Sequence, residues 1–220
     1  MSYSHWTVRQ STLIKIVLGL AAVTLFAVLF IRSVRNAGAQ PYTIGRAQLG
    51  AWTVALPPTP EASGVVLALW PPITLAPPLF SQIFSRSGLT LSGPNPVAMP
   101  LVLTGEFDRA GMGRTLSPEA LVQLARESGL ESMQPKPTCL ANRRISQPGS
   151  TREVFFVRFE FSPLGVFRSS IAARLGAGVG FDPAGLSPVV IIAATDGDFG
   201  SWQPLRGEAP QDCVAPITVQ

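Results

Sequence analysis

The chain contains one histidine, and that scarcity excludes whole classes of functional site. His5 precedes the long apolar run described below, so the rest of the sequence contains no imidazole. Ser-His-Asp and Cys-His catalytic arrangements and histidine-based metal centres all require that group. A c-type haem requires Cys-x-x-Cys-His, a motif that is also missing. We therefore predict a domain with no catalytic set, no cofactor and no metal ion.

Cysteine and lysine are scarce as well. The two cysteines are Cys139 and Cys213, arginine outnumbers lysine by 15 to 2, and no Asn-x-Ser/Thr glycosylation site occurs. The last two features favour a bacterial source. A cysteine pair in an extracytoplasmic domain favours a disulfide, and closing this loop would remove denatured-state entropy worth about 4.5 kcal/mol. Two buried free thiols in a cytosolic domain are the alternative.

The sequence does contain one long apolar run, from Leu13 to Ile31, which Lys15 interrupts near its start. At the helical rise the run is about 28 Å long, enough to cross a hydrocarbon core of about 30 Å. A helix also pairs every backbone N–H and C=O within lipid. We therefore predict a transmembrane helix over 13–31. Its predicted anchoring residues are Leu13, Ile16, Leu20, Phe26, Phe30 and Ile31.

The run predicts a retained anchor rather than a cleaved signal peptide. Ala37-Gly38-Ala39 has the small-x-small form of a cleavage site, but Arg32 and Arg35 make the spacer before it long and charged. Basic residues flank both ends of the run, so charge alone leaves the orientation open, and the cysteine pair favours a bacterial inner-membrane protein with a periplasmic domain. The predicted parts are a cytoplasmic N-terminus over 1–12, the transmembrane helix over 13–31, a linker over 32–42 and the domain over 43–220.

The charge balance excludes broad nucleic-acid binding. The chain carries a net charge of +4, but from Gln40 onward 13 basic residues balance 13 acidic ones. A neutral domain lacks the basic field that a phosphate backbone requires. Arg143, Arg144 and Arg152 form a local basic cluster, for which a solvated surface is the simpler interpretation. We expect the bilayer and other membrane-protein subunits as partners, and no nucleic acid.

The pattern over 43–220 predicts an α+β domain of mostly antiparallel strands with two or three short helices. Alternating or continuous apolar stretches predict strands over 49–56, 64–70, 101–107, 153–161 and 188–194. Proline starts, apolar spacings of three and four, and glycine stops predict helices over 78–87, 118–128 and 163–175. The first two strands are expected to form a hairpin. The tail to Val219 is expected to be mostly loop, with a final edge strand as the alternative.

Three groups of residues allow a functional and a structural interpretation. Asp196-Gly197-Asp198 lacks the EF-hand spacing and distal glutamate, so an acidic turn is favoured over a calcium site. Gly176 to Gly180 follows a helix and lacks a lysine, which favours a flexible connection over a phosphate loop. No spacing brings the carboxyl groups of Glu106, Asp108 and Glu160 together, so salt bridges to arginine are favoured over paired catalytic acids.

One stretch is loosely similar to motif fragments of type I signal peptidases, which are membrane-anchored Ser/Lys enzymes. It consists of Ser132-Met133-Gln134-Pro135, with Thr138 and the residues from Arg144 to Gly149. In that family the proline and threonine of the serine motif are directly joined, whereas here Lys136-Pro137 separates them. The similarity implies a hydrolase with Ser132 as nucleophile and a buried Lys136 as general base. We keep this as a remote alternative.

These features predict a non-enzymatic accessory or scaffolding subunit of a multi-subunit membrane complex, of which a respiratory or photosynthetic assembly is one example. The predicted interaction surface lies in apolar segments bracketed by prolines. It consists of Trp70, Leu79, Phe80 and Phe84. A membrane-tethered module that binds a ligand or a peptide is the alternative, and it predicts a pocket between the strand over 153–161 and the helix over 163–175.

Overall fold

A computed structural model of the protein describes residues 4–58, 64–176, 178–205 and 213–220, with side chains described outside 4–14 and 34–39. The chain divides into two units, Met1–Gln40 and Pro41–Gln220. The described part of the first unit is a helix, and the strands of the described ranges all belong to the second unit. The division falls at Pro41, whose ring removes a backbone N–H and disfavours a helical residue before it.

Helix α1 (Ser4–Ala39) contains a stretch that is long and apolar enough to cross a membrane. This stretch is Lys15–Ser33, with a mean hydropathy of 2.3, and no other helix in the described ranges meets the same criterion. Its large apolar side chains are exposed, from 47% for Val28 to 71% for Phe26. Predicted anchoring residues 16, 20, 26, 30 and 31 are among them, whereas the side chain of Leu13 lies outside the described part.

The region predicted as a linker over 32–42 is helical as far as Ala39. It contains no proline before Pro41, and its alanine and arginine residues have high helix propensity. The helix therefore continues beyond the apolar stretch.

The second unit contains two sheets. The five-stranded sheet has the order β1 (Tyr42–Ile44), β8 (Cys213–Val219), β5 (Lys136–Gln147), β6 (Ser150–Glu160) and β7 (Val189–Ala194). Strands β1 and β8 pair in parallel, and the other neighbours are antiparallel. The three-stranded sheet is antiparallel, with the order β2 (Thr53–Ala55), β3 (Val65–Trp70) and β4 (Met99–Leu103).

Among the described residues, four helices follow α1. They are α2 (Ala76–Ser87), α3 (Thr104–Arg109), α4 (Pro118–Glu127) and α5 (Ser162–Leu175). Gly88 ends α2 in the left-handed region with φ 65°, and the Ser117 side chain accepts the Ala120 N–H at the start of α4. The predicted α+β class with mostly antiparallel strands is confirmed.

The predicted strand over 101–107 is wrong in its second half, where α3 begins after Leu103. The Glu106 carboxylate accepts the Leu103 N–H at 3.2 Å, which caps the first turn of this helix. The prediction that the C-terminal tail is mostly loop is also wrong, because β8 lies inside its sheet between β1 and β5. Strand β5 was not predicted, since it lacks regular alternation and is held by its long antiparallel ladder with β6.

The main core lies between the two sheets and the helices. Trp52 and Phe159 meet there edge to face, with ring centroids 5.3 Å apart. Strand β6 is apolar on both faces: Phe155, Val157 and Phe159 enter the main core, while Val154 and Phe156 enter a second cluster. That second cluster includes Trp202, which closes the far face of the sheet.

Candidate interaction surface

Trp70, one of the predicted surface residues, lies between two hollows. It ends β3, and its indole Nε1 donates to the carbonyl of Ala55 across the β2–β3 hairpin at 3.1 Å. The Pro94-Asn95-Pro96 loop faces it and lines both hollows. One of the two hollows is bordered by α2 and the other is not. We call Trp70, this loop and the hollow that α2 does not border the Trp70 groove.

The Trp70 groove covers part of the outer face of the three-stranded sheet. Its hollow has a volume of about 300 Å³. Five further prolines or alanines of the sheet and its loops line it, namely Pro57, Pro58, Ala68, Ala98 and Pro100. Because proline has few backbone conformations to lose, a proline-lined wall needs little ordering when a partner binds.

The second hollow lies between the end of β3, α2 and the 93–97 loop. Its volume is about 720 Å³, and its lining includes Ile73, Ala76, Pro77 and Phe80. The Phe80 ring packs directly over Gly93, where an added Cβ would approach the ring to 3.3 Å. The alternative prediction placed a pocket between 153–161 and 163–175; both hollows lie elsewhere.

Helix α2 carries two apolar stripes. Leu75, Leu79 and Ile83 form the inner stripe and have no solvent exposure. Leu79 therefore belongs to the core, which corrects its placement in the predicted interaction surface. The outer stripe consists of Ile73, just before the helix, with Phe80 and Phe84: Ile73 is 86% and Phe84 52% exposed, and the Phe80 and Phe84 rings stack at 6.4 Å.

A buried arginine joins three parts of the domain. Arg168 on α5 has no solvent exposure and donates to both oxygens of the Glu106 carboxylate, at 2.7 and 3.1 Å. Its remaining N–H groups donate to the carbonyls of Leu101, Asp182 and Pro183. These five bonds match the five donors of a guanidinium. The sequence analysis missed this residue, although position 168 falls within the apolar stripe of its helix.

Two members of the predicted basic cluster, Arg144 and Arg152, form ion pairs with acidic residues. Arg144 pairs with the buried carboxylate of Glu153 at 2.6 Å, and the Arg152 side chain pairs with Asp196. Asp196 also accepts the indole N–H of Trp202 at 3.1 Å. The hydrogen bond from Arg152 is the main cause of a lowered pKa of Asp196, and the bond from Trp202 lowers this pKa further. The bond between Arg152 and Asp196 also raises the pKa of Arg152. The predicted acidic turn thus anchors the second core cluster.

The geometry that the signal-peptidase similarity requires is not present. Lys136 is exposed, and its Nζ lies 3.2 Å from the carboxylate of Glu160 in an ion pair. Ser132 is exposed as well. The alternative needed Lys136 buried beside this serine. Glu106 and Glu160, two of the candidate paired carboxylates, are instead bound to Arg168 and Lys136.

Cys139 and Cys213 lie at disulfide distance, with their Sγ atoms 1.97 Å apart. They belong to β5 and β8, so the cross-link joins the C-terminal strand to the centre of its sheet. Within the described ranges, no group of three or more His, Cys, Asp or Glu residues is placed to hold a metal ion.

The charged groups described above are held in ion pairs, and Trp70 and the outer stripe of α2 border the two hollows. Comparisons with protein-family models, with curated proteins and with solved structures give no match for this chain.

Proposed function

We propose that this protein is a non-enzymatic accessory subunit, anchored in a membrane by α1, whose domain binds a partner membrane subunit through the Trp70 groove. The observation that carries the proposal is the combination of an exposed apolar helix with an exposed, proline-lined groove in the same chain. A bacterial inner membrane, with the domain in the periplasm, is the proposed location.

Anchoring is supported by the exposed side chains of α1. Apolar side chains exposed over a stretch of 19 residues are unfavourable in water and favourable in a bilayer core. The cysteine pair supports an extracytoplasmic domain, because disulfides persist in oxidising compartments.

The Trp70 groove favours an extended, largely uncharged segment of a partner. Among the described residues that line its hollow, beside the prolines and Trp70, Asp198 is the one that carries a charge. Tryptophan is enriched among residues that dominate binding energy, and rigid walls lower the entropy lost on association. An apolar partner segment could bury this surface without desolvating many charges.

A photo-crosslinking experiment in native membranes tests the proposal. Asn95, exposed and in contact with both hollows, is replaced by benzoylphenylalanine, and exposed Gln123 on α4 is the matched control position. We expect one defined protein adduct from position 95, none from position 123, and loss of that adduct when Pro58→Arg fills the groove. No adduct, or equal adducts at both positions, would count against a partner at this surface.

A ligand-binding module is the second candidate, because the larger hollow has the volume of a small-molecule site. Native mass spectrometry of the full chain, gently released from membranes, checks this candidate. A stoichiometric small-molecule adduct that disappears in Ala76→Phe would favour it over the accessory subunit. An adduct that persists in the variant would place the molecule elsewhere.

A further inference from the structure

Asp198 brings a negative charge to the lining of the Trp70 groove, and its neighbours in the structure leave that charge uncompensated. The guanidinium of Arg152 is paired with the Asp196 carboxylate and also donates to the Ser201 hydroxyl at 2.7 Å. Within the described ranges, Asp198 takes part in no ion pair. Two carboxylates beside one guanidinium therefore leave an excess of negative charge at this edge of the groove.

Hydrogen bonds hold Asp198 in one position. Its N–H donates to Asp196 at 3.3 Å, its Oδ1 accepts the Ser201 N–H at 3.3 Å, and its carbonyl accepts the Ser201 hydroxyl at 2.9 Å. The buried Trp202 in turn fixes Asp196. The exposed carboxylate of Asp198 keeps acceptor positions for a ligand, and because it is already ordered, less conformational entropy is lost on association.

Two partly buried aromatic rings, those of Trp70 and Phe199, line the same hollow as Asp198. Its volume of about 300 Å³ is at the lower end of the range for small-molecule sites. The hollow therefore suits a few side chains of a longer segment. Rings and one carboxylate in a small hollow favour flat apolar side chains with a cation beside them.

The groove lies on the face of a sheet rather than at its edge. Ala68 and Pro100 in its lining are opposite each other in the β3–β4 ladder, and Ala68 is also opposite Ala55 in the β2–β3 ladder. A partner strand cannot extend the sheet from this face, because strands pair side by side through their edges. A proline-rich segment needs no such pairing, since polyproline II has no internal hydrogen bonds and proline lacks an N–H.

We propose that the Trp70 groove binds an extended, proline-rich segment of the partner protein and that an arginine or lysine of this segment pairs with Asp198. The prolines pack against the rings of Trp70 and Phe199, since aromatic-lined grooves suit polyproline II segments. The charge pair fixes the register of the segment. This proposal rests on the proposed binding of a partner in the Trp70 groove and adds the chemistry of the segment that enters it.

Photo-crosslinking from position 95 in native membranes, followed by mass-spectrometric sequencing of the attached peptide, tests the proposal. We expect that peptide to contain prolines with an arginine or lysine close to them. Asp198→Asn can still cap the Ser201 N–H, so it should keep the turn but lower the adduct yield severalfold, whereas Asp198→Glu should retain most of it. Asp108→Asn, at an exposed aspartate outside the groove, is the matched control and should leave the yield unchanged.

Salt gives a second readout, because the Debye length falls to about 3 Å at 1 M. High salt should lower the native yield toward that of Asp198→Asn and change the yield of the variant little. Equal yields from the native chain and Asp198→Asn, or an attached peptide without prolines or without a basic residue, would overturn this proposal and leave partner binding in place. If position 95 gives no protein adduct, partner binding in the groove is wrong, and this proposal fails with it.

Discussion

Arg168 combines complete burial with a full set of hydrogen bonds, and this combination makes it a sensitive test of the fold. A buried guanidinium is tolerated because Glu106 and three carbonyls replace its water. Arg168→Met should remove the charge while leaving the Glu106 carboxylate without its partner. We expect the free energy of unfolding to fall by about 3–5 kcal/mol, measured by urea denaturation.

Arg174→Met on the same helix is the matched control. Arg174 lies 3.7 Å from Glu127, with both side chains about half exposed, so its loss should change stability by less than about 1 kcal/mol. Arg168→Lys should still be clearly destabilising, because one ammonium cannot replace the five donors of a guanidinium. Equal effects of Arg168→Met and Arg174→Met would contradict the role assigned to the buried network.

Asp196 gives a prediction for acid stability. Its folded pKa is lowered, chiefly by the hydrogen bond from Arg152, so its charged form is favoured in the native state. Its stabilisation is therefore complete above the unfolded pKa of about 4, and is lost as the pH falls through the lower folded pKa. Asp196→Asn should be less stable than the native protein near neutral pH, and the difference should shrink below about pH 4.

Chemical denaturation between neutral and acidic pH measures this difference. Glu160→Gln provides the control, because its ion pair with Lys136 is exposed on both sides. A constant gap between Asp196→Asn and the native protein at every pH would show that the charge of Asp196 is not responsible.

At the scale of elements, the C-terminal strand depends on a neighbour that is distant in sequence. Strand β8 pairs with β1 and β5, and Cys213 joins it to Cys139. Replacing both cysteines by serine should lower the free energy of unfolding by about 2–5 kcal/mol. Hydrogen exchange should show the largest loss of protection in β1 and β8, because β1 has β8 as its partner in the sheet.

The comparison for this prediction is the native protein with its disulfide intact, under the same buffer without reductant. Uniform loss of protection across the domain would indicate global destabilisation without a local role for the cross-link. Unchanged stability would contradict the prediction.

The elements that the sequence predicted are those with local signals. The starts of α4 and α5 carry serine and proline, α2 ends at Gly88, and the apolar strands β3, β6 and β7 have continuous or alternating patterns. Strands β1 and β5 were missed, and β8 was expected only as an alternative and as an edge strand, because long-range pairing decides the conformation and place of these strands. The start of α3 depends on Glu106, whose carboxylate is itself held by Arg168 far along the chain.

The candidate site was predictable only in part, because the sequence shows which residues are apolar but not which of them the fold leaves exposed. Trp70, Phe80 and Phe84 stand out as large apolar residues among prolines, and they do border the two hollows or the outer stripe. Leu79 is also a large apolar residue among prolines, but helical periodicity places it with Leu75 and Ile83 on the inner stripe. Ile73 was missed because it precedes the helix, and its exposure depends on the turn that follows Pro72.

On the scale of the whole molecule, charge and apolar surface are distributed unequally along the chain. Residues 1–105 include the exposed apolar stretch, the outer stripe and one acidic residue, while residues 106–220 carry the described ion pairs and the disulfide. If the second half lies outside the cytoplasm, the oxidising environment maintains Cys139–Cys213 and the basic residues near α1 contact lipid headgroups. The side of the membrane on which the domain lies therefore decides whether the disulfide is maintained.

Fusions at Gln220 measure that orientation. Alkaline phosphatase folds actively outside the cytoplasm and green fluorescent protein fluoresces inside it, so we expect an active phosphatase fusion and a dark fluorescent one. Arg9 and Lys15 oppose Arg32 and Arg35 across the apolar run, a near balance under the positive-inside rule. Arg32→Gln with Arg35→Gln should therefore raise phosphatase activity, and Arg9→Gln with Lys15→Gln should lower it. A fluorescent native fusion would place the domain in the cytoplasm, where reducing conditions would leave both cysteines free and the proposed periplasmic role would be wrong.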